Sequence, residues 1–377
     1  MTETMVQAEY QRRVRLIQDL MDAMELDAVL LTSVAMQASQ LCVKFFSNYT
    51  LNTRRAYIFC AKGEEPYLIV PTVGQQYHAR NITWLPAENV LCGDMLAIVE
   101  QKLTGHRSVG WYQPEELPVG VYRRLTAGDL RWTDITEALT KARANKSEYE
   151  IMLTKETSKL CADSFAYLLS LLRPGVTEEE LIGAAEGYLR AHGASDSLVL
   201  TRSQKPHTFI SRAQPVPIQE DGVFVYSAEV AGRGGYWSQM VRPVFMREDA
   251  QPEARKILEV GKAAEAAGLE LLRPGYRVCD VSERIEQTVR ECGYGTGVWC
   301  GHGMGPDLGD AVDFGASNTM EIVPNMIITL HPSITGASDG LLYGNTFLTT
   351  EGDPIKLTDW FNGSPVLADL KKEAGLA

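Results

Sequence analysis

The sequence predicts an α/β (α+β) chain in two parts: a smaller α/β domain over residues 1–140, then a larger domain over 141–377 made of two pseudo-symmetric α-α-β halves. Three observations carry this. The length of 377 residues exceeds what one hydrophobic core commonly supports. The stretch Lys-Ala-Arg-Ala-Asn-Lys-Ser-Glu at 141–148 is polar and lacks periodic apolar residues, which marks a boundary. Finally, Leu171-Leu-Arg-Pro-Gly175 recurs as Leu271-Leu-Arg-Pro-Gly275, with a long helical pattern before each copy and a second one after it.

In the first part, Val14, Ile17, Leu20, Met21 and Met24 recur at helical spacing and predict an amphipathic opening helix over residues 7–24. A buried strand follows over 27–33. Residues 56–60 and 67–71 predict a hairpin, and 109–112 a further strand; a helix after Pro114 and the segment 134–139 close the domain. The second part opens on a helix near Ser147, where Ser147 and Glu150 have capping-box spacing. Its second helices end at Gly193 and Gly293, which supply the C-terminal turn. Strands are expected at 197–201, 223–230 and 236–245 in the first half, and at 326–330 and 346–350 in the second. Two such halves should pack their sheets together and leave a ligand groove between them.

With 45% hydrophobic and 22% charged residues, the composition is that of a globular protein. The net charge of -12 with no basic block argues against nucleic acid and anionic membranes as partners, and neither is expected. No stretch reaches the ~18 apolar residues needed to span a bilayer, and the start has no leader-like apolar core, so a cytoplasmic location is expected. The seven cysteines are odd in number and form no Cys-x-x-Cys pair, which argues against a disulfide framework or a thiolate zinc site. Cys300 alone sits beside a motif of interest, and nothing in the sequence lowers its pKa. That motif is Gly301-His-Gly-Met-Gly305, where glycines let the backbone pass close to a ligand and His302 can reach it.

Several motifs, in order, resemble the creatinase, prolidase and aminopeptidase P group. They are Glu9-Tyr-Gln-Arg-Arg-Val14, Lys146-Ser-Glu148, Arg173-Pro-Gly-Val-Thr-Glu-Glu-Glu-Leu181, Gly235-Tyr-Trp-Ser238, Gly301-His-Gly-Met-Gly305 and Thr350-Glu-Gly352. The resemblance implies a pita-bread C-terminal domain preceded by a creatinase-type N-terminal domain. Peptidases of this group hold two metal ions with two Asp, one His and two Glu. Registered on the motifs, those positions fall on Ala228 (with Glu229 one place off), Gln239, His302, His331 and Gly344. The group's second histidine falls on Gly309. A bridged pair of ions needs carboxylates to offset about four positive charges, and this set lacks them.

The resemblance therefore implies a metal-lacking, creatinase-like hydrolase with no cofactor, cleaving a C–N bond in a small nitrogen-containing acid or amide. His207, in Lys205-Pro-His-Thr208, matches the creatinase-like acid/base, since a neutral imidazole takes and returns a proton near working pH. Glu229 is the carboxylate placed to orient it or to activate water. Gln239, Arg242, His302 and His331 are expected to bind substrate. Their donor-rich character favours a neutral or anionic molecule over creatine. Arg54 and Arg55 lie where the N-terminal domain of this group can reach a partner's cleft, so a homodimer with one arginine clamping substrate in trans is expected. Three alternatives use the same residues: a lyase or decarboxylase, a metallohydrolase or peptidase with an atypical mononuclear histidine site, and a non-catalytic binding module.

Overall fold

The computed structural model describes residues 3–35, 40–298 and 300–376. The chain divides into two compact units, Met1–Ala144 and Asn145–Ala377.

The first unit carries a six-stranded mixed sheet in the order β4-β3-β2-β1-β5-β6. Its strands are β1 (Ala28–Val34), β2 (Arg55–Ala61), β3 (Tyr67–Val70), β4 (Val90–Cys92), β5 (Ser108–Trp111) and β6 (Arg131–Asp134). The opening helix α1 (Glu3–Ala23) and then α2 (Leu41–Ser47), α3 (Val73–Ile82), α4 (Met95–Leu103), α5 (Val119–Leu125) and α6 (Thr136–Ala144) accompany it. The expected β2–β3 hairpin forms, with Tyr57 opposite Ile69. α2 was not foreseen: all seven of its residues are buried, so it shows no polar face for a periodicity to reveal.

The second unit repeats helix, helix and strands. Helices α7 (Glu148–Leu171) and α8 (Glu178–Ala191) precede β7 (Asp196–Arg202), β8 (Val223–Ala231) and β9 (Trp237–Phe245), which form one antiparallel sheet. Helices α9 (Pro252–Leu269) and α10 (Val278–Glu291) precede β10 (Gly295–Thr296), β11 (Gly301–Met304), β12 (Leu308–Asp313), β13 (Ile327–Leu330), β14 (Ser333–Thr335), β15 (Gly340–Leu342), β16 (Asn345–Leu348) and β17 (Ile355–Lys356), with α11 (Leu367–Glu373) last. The Ser147/Glu150 capping box is present, and a second one is formed by Thr177 and Glu180. Gly193 and Gly293 follow their helices at φ 99° and 83°, the left-handed turn that glycine adopts without strain.

The two halves meet along β9 and β16. Val241 and Gly344 exchange backbone hydrogen bonds, and Thr346 Oγ1 accepts from the Gln239 N–H and donates to the Gln239 carbonyl. Arg242 locks this seam. Strand alternation turns it to the face opposite Gln239, where it is 2% exposed. There it donates to the carbonyls of Val241, Gly344, Thr358 and Trp360 and to the side chains of Asn345 and Asn362. Its guanidinium is committed to the scaffold, which corrects its assignment to substrate binding.

The glycines of the histidine motif also have a different cause from the one expected. A Cβ at Gly301 would meet the Thr329 carbonyl at 2.4 Å, and one at Gly303 or Gly305 would meet Asp310 at 2.0 Å. These glycines admit neighbouring strands and the Asp310 carboxylate, not a ligand. Lys146, just before α7, holds that carboxylate at 2.8 Å in a buried ion pair, tying two motifs 164 residues apart. No helix among the described residues is long and apolar enough to cross a membrane.

Arg242→Ala should lower the unfolding free energy by at least about 3 kcal/mol, since several buried carbonyls lose their donors together. Arg242→Lys should recover little, because an ammonium cannot fork to these acceptors. Chemical denaturation reads both; unchanged stability with lost ligand binding would return Arg242 to the cavity.

Candidate active site

Because side chains alternate along a strand, one face of the β7–β8–β9 sheet packs on α7 and α8 while the other lines a cavity of about 540 Å³. Leu198, Leu200, Glu229 and Gln239 face the cavity; Val199, Ala228, Val230 and Met240 face the core. Glu229 stands directly opposite Gln239. Glu229 therefore lines the cavity across from Gln239, whereas Ala228, the position that the spacing of eleven gave, is sealed in the core. The second half contributes His302 from β11, Leu308, Gly309 and Asp313 from β12, and His331 just after β13.

The polar groups form a chain. His302 Nδ1 lies 3.1 Å from the Gly303 carbonyl, which can only accept, so Nδ1 carries the proton and Nε2 presents a lone pair. The Gln239 amide lies 3.1 Å from that Nε2, 3.2 Å from Glu229 Oε1 and 3.3 Å from Ser227 Oγ. Burial alone pushes the Glu229 carboxyl up to about 8, so at neutral pH it is a donor. All three contacts are satisfied when the amide NH2 faces His302 and its oxygen accepts from Glu229 and Ser227. Burial also lowers His302, against the Gly303 carbonyl and the Asp313 charge, which favour its cation. It brings His331 down to about 3, with the neighbouring His302 adding to the effect. Both rings are therefore neutral, the form that ligates metal. Their centroids are 5.2 Å apart, and the buried His331 Nδ1 has no hydrogen-bond partner among the described residues.

His207 is 2% exposed, and its Nδ1 lies 2.9 Å from Asp339, which also accepts from the His207 backbone. Burial raises the Asp339 carboxyl, but the hydrogen bond and charge of His207 outweigh it and hold it below the usual range. The cavity wall begins at the next residue, Thr208, and continues through Phe209 and Ile210. Asp339 lies 132 residues away, beyond any local signal in the sequence. Cys300 is buried and its thiol is pushed up to about 11, which removes it as a nucleophile. Arg54 and Arg55 belong to the first unit, and Arg55 donates to Thr32 Oγ1 and the Glu116 carbonyl; the cavity is built entirely from the second. No lysine or arginine lines it among the described residues, so the expectation of an anionic ligand finds no counter-charge there.

Residues 153–351, more than half of the chain, match the model of metallopeptidase family M24. The chain belongs to that family. It is 26% identical over 233 residues to the uncharacterized peptidase YqhT of Bacillus subtilis, a match covering 59% of this chain and 65% of that relative. It is 24% identical over 295 residues to the putative dipeptidase YkvY of the same organism, covering 74% and 79%. In fold it is similar to the prolidase of Pyrococcus horikoshii, with TM-score 0.79, 21% identity and coverage of 92% of this chain and 98% of that one. It is likewise similar to the X-Pro aminopeptidase of Thermotoga maritima, with TM-score 0.81, 20% identity and coverage of 95% and 99%. The pita-bread architecture with its N-terminal domain is thereby shown.

Membership of a metallopeptidase family overturns the expectation of a metal-independent, creatinase-like hydrolase acting on non-peptide C–N bonds. That expectation equated loss of the bridging carboxylates with loss of every metal. The residues do not fit a bridged pair: Glu229 is the one buried carboxylate among the described residues of the lining, and among the described residues no three His, Cys, Asp or Glu are gathered closely enough to cage an ion. They offer one ion two imidazoles: His331 Nδ1 has no hydrogen-bond partner among the described residues, and His302 Nε2 would exchange its contact with the Gln239 amide for the ion.

Position 344 cannot regain a side chain by itself, since a Cβ there would meet His331 Cβ at 2.7 Å and the Leu330 carbonyl at 2.9 Å. Gly344→Glu should therefore lower the thermal midpoint, read by calorimetry, and a variant as stable as the parent would show the space to be open. Glu229 sets a second expectation. Its folded value of about 8 lies above the ordinary 4.5, so from pH 4.5 to 8 the folded chain keeps a proton that the unfolded chain releases. Stability should fall across that window as pH rises. Relative to Glu229→Gln, the parent should lose stability between pH 5 and 8 in denaturant titrations; a pH-independent difference would mean that Glu229 is ionised in the folded state.

Proposed function

We propose that the protein is a hydrolase of the peptidase type that cleaves the amide of a small peptide-like molecule in this cavity, with a single divalent ion on His302 and His331. The observation that carries this reading is the buried His331 Nδ1, without a hydrogen-bond partner among the described residues, beside the His302 ring at the base of the cavity. Bound there, the ion would polarise the scissile carbonyl and acidify a water. The chain's own groups supply the rest. Glu229, protonated by its burial, holds a proton at the cavity base for the leaving nitrogen. Gln239 holds that carboxyl in place together with Ser227. Asp339 fixes the His207 tautomer with the proton on Nδ1, which leaves Nε2 as the base of the proposed acid/base residue. Leu198, Leu200 and Leu342 exclude water around the substrate.

Protein prepared with zinc or manganese should hold about one ion per chain by elemental analysis, and His302→Ala and His331→Ala should each lose it. Turnover of a dipeptide and amino-acid amide panel should stop on chelation and return with the ion. Two ions per chain, or full turnover in metal-free protein, would sink the proposal. The lack of a three-ligand group among the described residues favours a second reading, a binding module, which predicts ligand affinity with no turnover at all.

A further inference from the structure

We infer that Glu178 is a positioning residue: its carboxylate staples both ends of the segment 203–214, and through that segment it sets where His207 and the cavity wall of Thr208, Phe209 and Ile210 stand. The inference rests on the reading above only in giving His207 the acid/base part.

The run Thr177-Glu-Glu-Glu180 places three acids at the start of α8, and each has a different fate. Glu180 closes the capping box with Thr177, Glu179 is exposed, and Glu178 turns inward, where it is 3% exposed. A buried carboxylate is costly unless donors replace its water. Here the donors come from two places in the chain. Oε1 accepts from the Ser203 N–H at 2.7 Å and from the Ser203 hydroxyl, while Oε2 accepts from the Gln214 N–H at 3.0 Å. The first turn of α8 adds the positive end of its dipole. Both ends of the segment therefore meet on one side chain, 25 and 36 residues away in sequence.

The segment needs that anchor because it buries little of itself. Of residues 203–214 only His207 and Thr208 are buried. Thr201 and Ser211 exchange backbone hydrogen bonds, which ties the returning leg to β7 and leaves the outer ends to Glu178. The tip is held by the other half of the unit. Asp339 accepts from the His207 N–H and lies 2.9 Å from its ring Nδ1, Thr208 Oγ1 donates to the Ile334 carbonyl, and the His207 backbone bridges to Leu341. Two buried carboxylates, one from each half, thus hold base and tip, with the histidine and the wall between them. With the base released, the tip contacts alone would have to order the whole segment, and that entropy weakens them. A reacting group displaced by about 1 Å loses about a hundredfold in rate, so a looser segment reaches the chemistry through His207.

The test uses the full chain. Glu178→Gln keeps the volume but offers one acceptor oxygen, so an amide NH2 must face an N–H at one end of the segment. Ser203→Ala removes only the hydroxyl donor, and it decides the matter where the glutamine variant fails to fold. Hydrogen exchange read by mass spectrometry should quicken over 203–214 at least about tenfold in Glu178→Gln and about threefold in Ser203→Ala, with β8 and β9 unchanged. In spectra of protein carrying 15N-labelled histidine, Glu178→Gln should move the His207 ring from the Nδ1–H form that Asp339 holds toward a mixture of tautomers, while His302 keeps its own. On the dipeptide and amide panel kcat should fall at least about tenfold with KM within about twofold. Exchange over 203–214 at the parent rate in either folded variant overturns the inference, as does exchange raised equally across the second unit. An unmoved His207 tautomer, or an intact kcat in a variant whose segment is released, overturns it too. Exchange and tautomer need no turnover, so a parent that hydrolyses nothing removes the hydrolase reading and leaves these two to decide on Glu178.

Discussion

The seam between β9 and β16 is the constraint on which the rest of the second unit depends. Backbone bonds between Val241 and Gly344 set the spacing, Thr346 stitches the Gln239 peptide across it, and Arg242 closes it from behind. A buried guanidinium is costly unless every N–H finds an acceptor, so the network is selective about geometry: either the carbonyls of Gly344, Thr358 and Trp360 converge or the charge is stranded. With that convergence in place, Gln239 from one half and His302 and His331 from the other are held across a cavity that neither half could build alone.

The electrostatics of the cavity follow from the groups at its base. Several acids at close range would need cations to hold them together; one acid, an amide and two imidazoles do not. Each group here instead settles into its uncharged form, and burial favours that outcome for Glu229 and for both histidines. The close packing of Gly344 on His331 means that a side chain at 344 and the His331 ring as placed exclude each other.

Much of the architecture was legible in the sequence because its signals are local. The repeated Leu-Leu-Arg-Pro-Gly, the Ser147 capping box and the helix-ending glycines each depend on residues within a few positions of one another, and all are present. Of the site, Gln239, His302 and His331 were found through motif spacing and do share one cavity. What escaped depends on long range or on alternation. Arg242 sits three residues from Gln239 and so faces the other way, and Asp339 meets His207 from the far half of the unit. The glycines around His302 announced a close approach correctly, but the approaching group, Asp310 held by Lys146, is protein.

The β8–β9 pairing turns the choice between two neighbouring residues into a question of odd and even. Glu229 stands opposite Gln239 and shares its face, so it meets the cavity, while Ala228 one notch earlier is sealed in the core. A count along the chain that is off by a single residue therefore names a side chain on the wrong face, and the strand pairing tells which of the two a ligand can meet.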